Sequence, residues 1–143
     1  MGLSSYLPEI DAGGHGTHTS STATGGLVEN ASFTGLAQGL ARGGAPSAWL
    51  AVYQIFRDTG GCVEADLLAA FDDAIFDGVD VLSVSLGSPP PLATYVEDAV
   101  ATGSFHSVAK GISVICSAGN SGPYPRTVNK HSTVGCYSCS KHH

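Results

Sequence analysis

Three short apolar runs, separated by two stretches of helical periodicity, constrain the fold of this chain more than any other feature. Residues 48–56, 79–86 and 112–117 are continuous in aliphatic, aromatic and β-branched side chains, and each is short enough to be a buried strand. Between the first two runs, Leu67, Ala70, Phe71, Ala74 and Ile75 fall at i, i+3, i+4, i+7 and i+8. They form one apolar helical stripe, with Asp66, Asp73 and Asp77 opposite and Gly78 placed as a stop. Residues 95–110 repeat the pattern, with Val100, Ala101, Ser104, Phe105, Val108 and Ala109 on one side. Lys110 suits that helix's negative end, and Gly111 closes it. Strand, helix, strand, helix, strand is the order of a parallel sheet with crossover helices, so the fold class is α/β. Continuous rather than alternating apolar runs predict helices on both faces of that sheet.

Outside this frame, residues 13–26 predict a short helix stopped by Gly25, despite many Thr and Ser. Residues 27–46 read as loop, with glycines at 35, 39, 43 and 44. Glycine supplies 19 of 143 residues, nearly double the usual share of about 7%, concentrated at the ends of apolar runs. Residues 130–143 show little periodicity and read as a loose tail, which leaves 1–129 as the domain. In open parallel sheets ligands sit beyond the carboxyl ends of the strands. That rule selects Ser85, Leu86 and Gly87, and residues 119–122, as site-forming backbone. A three-strand sheet with open edges also predicts further chain or a partner, and a marginal, aggregation-prone fold without it.

Composition narrows the functions. Twelve acids against six bases give a net charge of −6, which argues against nucleic acid, gripped mainly by clustered Lys and Arg. Charged residues are 13%, against about 25% in typical soluble domains, so much of the surface is expected to be covered. No apolar run approaches the roughly 20 residues of a membrane span, so no membrane partner is expected. Residues 1–11 lack the basic patch and apolar stretch of a signal peptide. Either the chain stays inside the cell or its native start lies upstream. Cys62, Cys116, Cys136 and Cys139 do not make a disulfide scaffold, and the first two sit in small-apolar surroundings suited to core thiols.

Two segments could carry chemistry. In Gly14-His15-Gly16-Thr17-His18, a His flanked by glycines at a helix start has an exposed ring with room beside it. The two histidines could instead ligate a metal, but no Glu or third ligand follows at zincin spacing. In Ser117-Ala118-Gly119-Asn120-Ser121-Gly122-Pro123, the Asn amide at a strand's carboxyl end is placed to donate to a developing negative oxygen. Taken alone, the same letters make an ordinary turn.

The Gly-His-Gly-Thr-His motif, then Val84-Ser85-Leu86-Gly87, then Ser-Ala-Gly-Asn-Ser-Gly-Pro, in that order on an α/β chain, resembles the subtilisin-like serine proteases, and among them the cucumisin-like plant subtilases. Residues 35–47, 69–74 and 77–82 support the resemblance, which covers roughly residues 11–129. It implies a partial subtilisin-like fold acting on peptide or protein substrates without a cofactor or metal. It also implies that His15 is the catalytic base, that His18 supports it, and that Asn120 is the oxyanion donor. Ser85, Leu86 and Gly87 would form the strand along which a peptide substrate pairs. The family works through an acyl-enzyme, with Ser as nucleophile and Asp orienting the His, and is secreted.

The departures are specific. No strand ending in Asp-Thr-Gly or Asp-Ser-Gly precedes His15, and Gly-Thr-Ser-Met is absent. Asp58-Thr59-Gly60 imitates the first motif but follows the His, against the family order Asp, His, Ser, and Asp11 is an ordinary acidic position too close to His15. The chain therefore reads as a truncated, inactive portion of a protease. The alternative is a non-catalytic fragment that binds peptides or a protease partner. Asn30-Ala31-Ser32 is a glycosylation sequon. His131, Cys136, Cys139 and His142 have a spacing that could hold zinc, but with no framework around them a frameshifted or random tail is the preferred reading.

Overall fold

The computed structural model describes residues 11, 13–56, 61–129 and 136–139, the last as backbone only. The chain divides between Val52 and Tyr53 into two compact units.

The first unit holds helix α1, His15–Thr24, and an antiparallel hairpin of β1, Val28–Phe33, and β2, Leu36–Ala41. Helix α1 ends at Gly25, as its sequence predicts, and buries no residue. Its Thr and Ser side chains bond back to carbonyls one turn earlier, Thr22 Oγ1 to His18 O at 2.9 Å and Ser21 Oγ to His18 O at 2.8 Å. Those bonds satisfy the hydroxyls locally but add no helix propensity, so the ends rather than the interior must hold this helix. Beyond the hairpin the chain returns along the helix end. Gly43 N–H donates to Gly25 O, Gly44 N–H to Thr22 O and Ala45 N–H to Ala23 O, which satisfies carbonyls the helix leaves open. A Cβ on Gly43 would fall 2.9 Å from Ser21 O, so this approach requires glycine.

The hairpin corrects the loop expected over 27–46. Thr34 and Gly35 form a two-residue turn, both left-handed at φ 51° and 87°, the backbone that matches strand twist. A β-branched Thr is an unusual residue for that conformation. The turn therefore carries little signal in sequence.

The second unit contains helix α2, Glu64–Asp77; strand β3, Val81–Val84; helix α3, Ala99–Ala109; strand β4, Ser113–Ser117; and strand β5, Cys136–Cys139. The three strands pair in parallel in the order β3-β4-β5. Gly78 and Gly111, left-handed at φ 72° and 86°, close the two helices where the sequence places them. In each case the residues after the helix donate back to its last turn, Val79 N–H to Ala74 O and Ile112 N–H to Ser107 O among them. The core joins Leu67, Phe71, Val84, Val100, Val114 and Cys116. Each large aliphatic or aromatic member contributes roughly 1.5–3 kcal/mol by leaving water.

Four expectations change here. Residues 48–56 form no strand. Trp49 is fully exposed, Val52 is exposed and Phe56 makes only an isolated bridge to Cys62. An apolar run becomes a strand only with a ladder partner, and among the described residues the outer edge of β3 has none. Second, the segment read as a loose tail supplies β5, whose four residues are too few to show a period. Third, α2 and α3 pack on each other, and β4 alternates: Val114 and Cys116 are buried, Ser113 and Ile115 exposed. Among the described residues of this unit, the packed helices lie on the face that Val114 and Cys116 enter. Fourth, α3 begins at Ala99 rather than Tyr95, because Asp98 Oδ1 accepts the N–H groups of Val100 and Ala101 at 2.9 and 3.1 Å. Its buried side is Val100, Ala101, Gly103, Ser104 and Ser107, while Phe105 and Val108 are exposed. The ring of Phe71 rests on Gly103 so closely that a Cβ there would overlap it. The helices meet where α3 is thinnest, and a larger apolar face would not fit.

Gly103→Ala is accordingly expected to destabilise the chain by about 1–3 kcal/mol, although Ala is the better helix former. Denaturant titration of the two proteins checks this.

Candidate active site

Each segment with candidate chemistry is held by a distinct local device. In the first unit, His15 and His18 are exposed on the first turns of α1. The helix start is anchored by Asp11, whose carboxylate accepts from Gly14 N–H at 2.9 Å, Thr17 N–H at 2.7 Å and Thr17 Oγ1 at 2.7 Å. Gly14 itself is left-handed at φ 69°, which turns the chain from Asp11 into the helix. The Thr17 hydroxyl and amide, with smaller help from Gly14 and the nearby His15, hold the Asp11 carboxyl below its ordinary value against a small desolvation cost. Asp11 is thus more than an ordinary acidic position. It orders the turn that presents His15. The available signal was an Asp ahead of a Gly-Gly pair and a helical stretch, a helix-start pattern.

In the second unit the carboxyl ends of neighbouring strands β3 and β4 bring the other candidates together. Ser85, Leu86 and Gly87 leave β3, and the 118–122 loop leaves β4 with Gly119 left-handed at φ 89°. Ser117 Oγ donates to Leu86 O at 3.2 Å, tying the two exits directly. Asn129 returns beneath them. Its backbone N–H donates to Ala118 O at 2.9 Å, and its side chain is buried against Gly87 and Gly119. Asn120 is exposed at the rim, and Ser85 and Leu86 are half-buried. The parallel-sheet rule selects these two backbone segments from sequence, whereas Ser117 carries no signal of its cross-strand bond and Asn129 stands at the edge of the expected tail.

Other readings find less. Among the described residues no cluster of three metal-ligating side chains is present, and no helix is long and apolar enough to cross a membrane. Asp58, Thr59, Gly60, His131 and His142 lie outside the described residues, and Cys136 and Cys139 begin and end β5. Asn30 of the sequon is exposed on β1. The Cys62 thiol is pushed above its ordinary value by partial burial and by Asp66 and Glu64, which makes it a poor nucleophile.

A parallel α/β sheet with glycine-rich loops converging at its strand ends belongs to the class of α/β proteins whose ligands sit outside the carboxyl ends of the strands. The family follows from comparison. The model of the Subtilase family, peptidase S8, matches residues 6–142, past residue 129 where the sequence reading ends the domain. The chain is 52% identical over 122 residues to subtilisin-like protease SBT4.14 of Arabidopsis thaliana, covering 85% of this chain and 16% of that protein. It is 56% identical over 117 residues to subtilisin-like serine-protease S of Lotus japonicus, covering 82% and 15%. With the CO(2)-response secreted protease of Arabidopsis thaliana the identity is 52% over 126 residues, covering 87% and 16%. Among solved structures, sphericase superposes with a TM-score of 0.60 at 25% identity, over 83% of this chain and 36% of that one. The chain belongs to the subtilase family and has a partial subtilisin-like α/β fold. It spans about a sixth of the length of the curated relatives it matches.

The Asp11 anchor has a pH signature. Its folded value is depressed, so its contribution is complete above the unfolded value of about 3.9 and lost as pH falls through the lower folded value. The Gly14 and Thr17 amide resonances are expected to titrate together with a midpoint below the ordinary carboxyl value. Asp11→Ala should abolish that titration and speed hydrogen exchange at Thr17. A midpoint at or above the ordinary value would remove Asp11 from this role.

Proposed function

We propose that this chain carries part of the machinery of a secreted serine endopeptidase. In that reading His15 is the general base, the Asn120 side-chain amide donates to the oxyanion, and Ser85, Leu86 and Gly87 pair with an extended peptide substrate as an added strand. The observation that carries it is the convergence of the 85–87 and 118–122 segments at adjoining strand ends in a member of the subtilase family. The exposed ring of His15 at an anchored helix start agrees with a base that must reach a nucleophile. Secretion is inferred from the relative named a secreted protease.

The 143 residues contain neither Gly-Thr-Ser-Met nor an Asp-Thr-Gly or Asp-Ser-Gly ahead of His15. By itself this chain therefore lacks a nucleophile and an orienting acid, and is hydrolytically inactive. The second reading, a peptide- or protease-binding fragment without hydrolysis, is favoured by one feature: Ser85, Leu86 and Gly87 continue from β3, whose outer edge is unpaired among the described residues. Both readings expect a peptide at the same place and differ in whether further chain completes the chemistry.

Incubation with a fluorophosphonate probe and a fluorogenic peptide is expected to give no labelling and no turnover. Stoichiometric labelling abolished by changing one Ser would overturn the inactivity. An extended peptide should shift the amide resonances of Ser85 and Gly87, and shifts confined elsewhere would remove the strand role. Because His15 is exposed, His15→Ala should alter stability by no more than about 0.5 kcal/mol, measured by thermal melting.

A further inference from the structure

The side chain of Asn129 is almost completely buried, at 3% exposure, yet its Oδ1 has no hydrogen-bond partner among the described residues. Buried acceptors are nearly always paired, so an unpaired one marks a group held in place for another reason. The reason lies in what surrounds it. A Cβ built on Gly87 would overlap the Asn129 Nδ2 and come within 3.1 Å of its Cγ. A Cβ built on Gly119 would meet the same Nδ2 and fall 3.4 Å from that Cγ. One carboxamide therefore fills the space that two glycines leave open, one on each strand exit. The backbone of Asn129 is fixed to the second exit by its N–H bond to Ala118 O at 2.9 Å.

We infer that Asn129 is a positioning residue: it sets the spacing between the peptide-pairing segment at 85–87 and the oxyanion-side loop at 119–120. The inference rests on the roles proposed above for those two segments, but the spacing itself does not. A planar amide suits the position because it is thin enough to lie between two backbones. A branched aliphatic chain would force them apart, and a shorter one would leave a gap into which both loops could relax. The two glycines differ in kind. Gly87 has no positive φ and is glycine for lack of space alone. Gly119 is left-handed at φ 89°, so it is glycine for conformation as well.

That difference gives a test with opposite outcomes. Gly87→Ala alone should lower the thermal midpoint of the 143-residue chain by several degrees and shift the Gly119 amide resonance through the displaced carboxamide. Asn129→Ala should shift the Gly87 and Gly119 amides together while leaving Val81 and Ser113, at the far end of the strands, unmoved. In the double variant Gly87→Ala/Asn129→Ala the new methyl has room, and most of the loss from Gly87→Ala should be recovered. Gly119→Ala should not be recovered by Asn129→Ala, because its strain is in the backbone. Loss of additivity at Gly87 but not at Gly119 is a result that general weakening of the fold would not give. If Gly87→Ala and Asn129→Ala add independently, or if each leaves the other's loop unmoved, the inference fails. Should Asn129→Ala not fold, Gly87→Ala decides alone, and an unmoved Gly119 amide overturns the inference. Peptide titration then separates the two layers. Where the parent chain binds an extended peptide at 85–87, Asn129→Ala should weaken it by up to roughly tenfold, the equivalent of one misplaced backbone hydrogen bond. Absence of peptide binding by the parent would sink the substrate-strand reading, while the steric coupling still decides Asn129.

Discussion

The parallel pairing of Val81–Val84 with Ser113–Ser117 is the interaction on which the rest of the second unit depends. Parallel strands exit at the same end, so whatever follows each in sequence is delivered to a common rim without further instruction. Here the exits are Ser85-Leu86-Gly87 and Ala118-Gly119-Asn120, and a one-residue slip of the ladder would move every partner on both. The register is held from below. Val84, Val114 and Cys116 project into the core with Leu67, Phe71 and Val100, and a slip would bring Ser83, Ser113 or Ile115 into that space instead. Burial of one sheet face thus fixes the geometry of the opposite end.

Close approach is the second recurrent device, and it accounts for glycines at positions where no turn asks for one, such as Gly43, Gly87 and Gly103. Gly103 admits the Phe71 ring, Gly43 admits the end of α1, and Gly87 with Gly119 admits Asn129. In each case the neighbour occupies the volume a Cβ would need. A chain that packs through missing side chains gains contact between backbones and aromatic or amide planes, at the cost of intolerance to even one added methyl.

The legible parts of the sequence were those set by periodicity and by helix stops. The stripe Leu67, Phe71, Ala74 and the stops Gly78 and Gly111 are local facts, and the structure keeps them. The exits at Ser85 and Gly119 followed from a rule about parallel sheets rather than from any residue preference. What sequence did not show depends on partners. Residues 48–56 have the composition of a strand but no paired neighbour, while Cys136–Cys139 has little strand character and gains its state from β4. The buried side of α3 follows the sequence pattern at Val100, Ala101 and Ser104, but size decides the rest: Gly103 and Ser107 go inward, and Phe105 and Val108 outward. Asn129 was invisible for a related reason, since its role is defined by two glycines some ten and forty residues away.

The two candidate halves are held by different physics, and this bears on how each could act. Helix α1 buries no side chain, so packing cannot orient His15. Its start is set by the Asp11 carboxylate and its end by the 43–45 backbone, all hydrogen bonds at or near the surface. Such an arrangement fixes the helix by its two ends and leaves the His15 ring without packing against the rest of the described unit. The 118–122 loop is the reverse. A buried amide, a cross-strand hydroxyl bond and a left-handed glycine fix its backbone before any ligand arrives. A donor that stabilises a transient charge gains most from being rigid, because reorganisation at the moment of reaction would cancel its advantage. On the proposed roles, the fixed backbone of the 118–122 loop serves the Asn120 donor, and the exposed His15 ring would take its orientation from the acid that the mechanism requires.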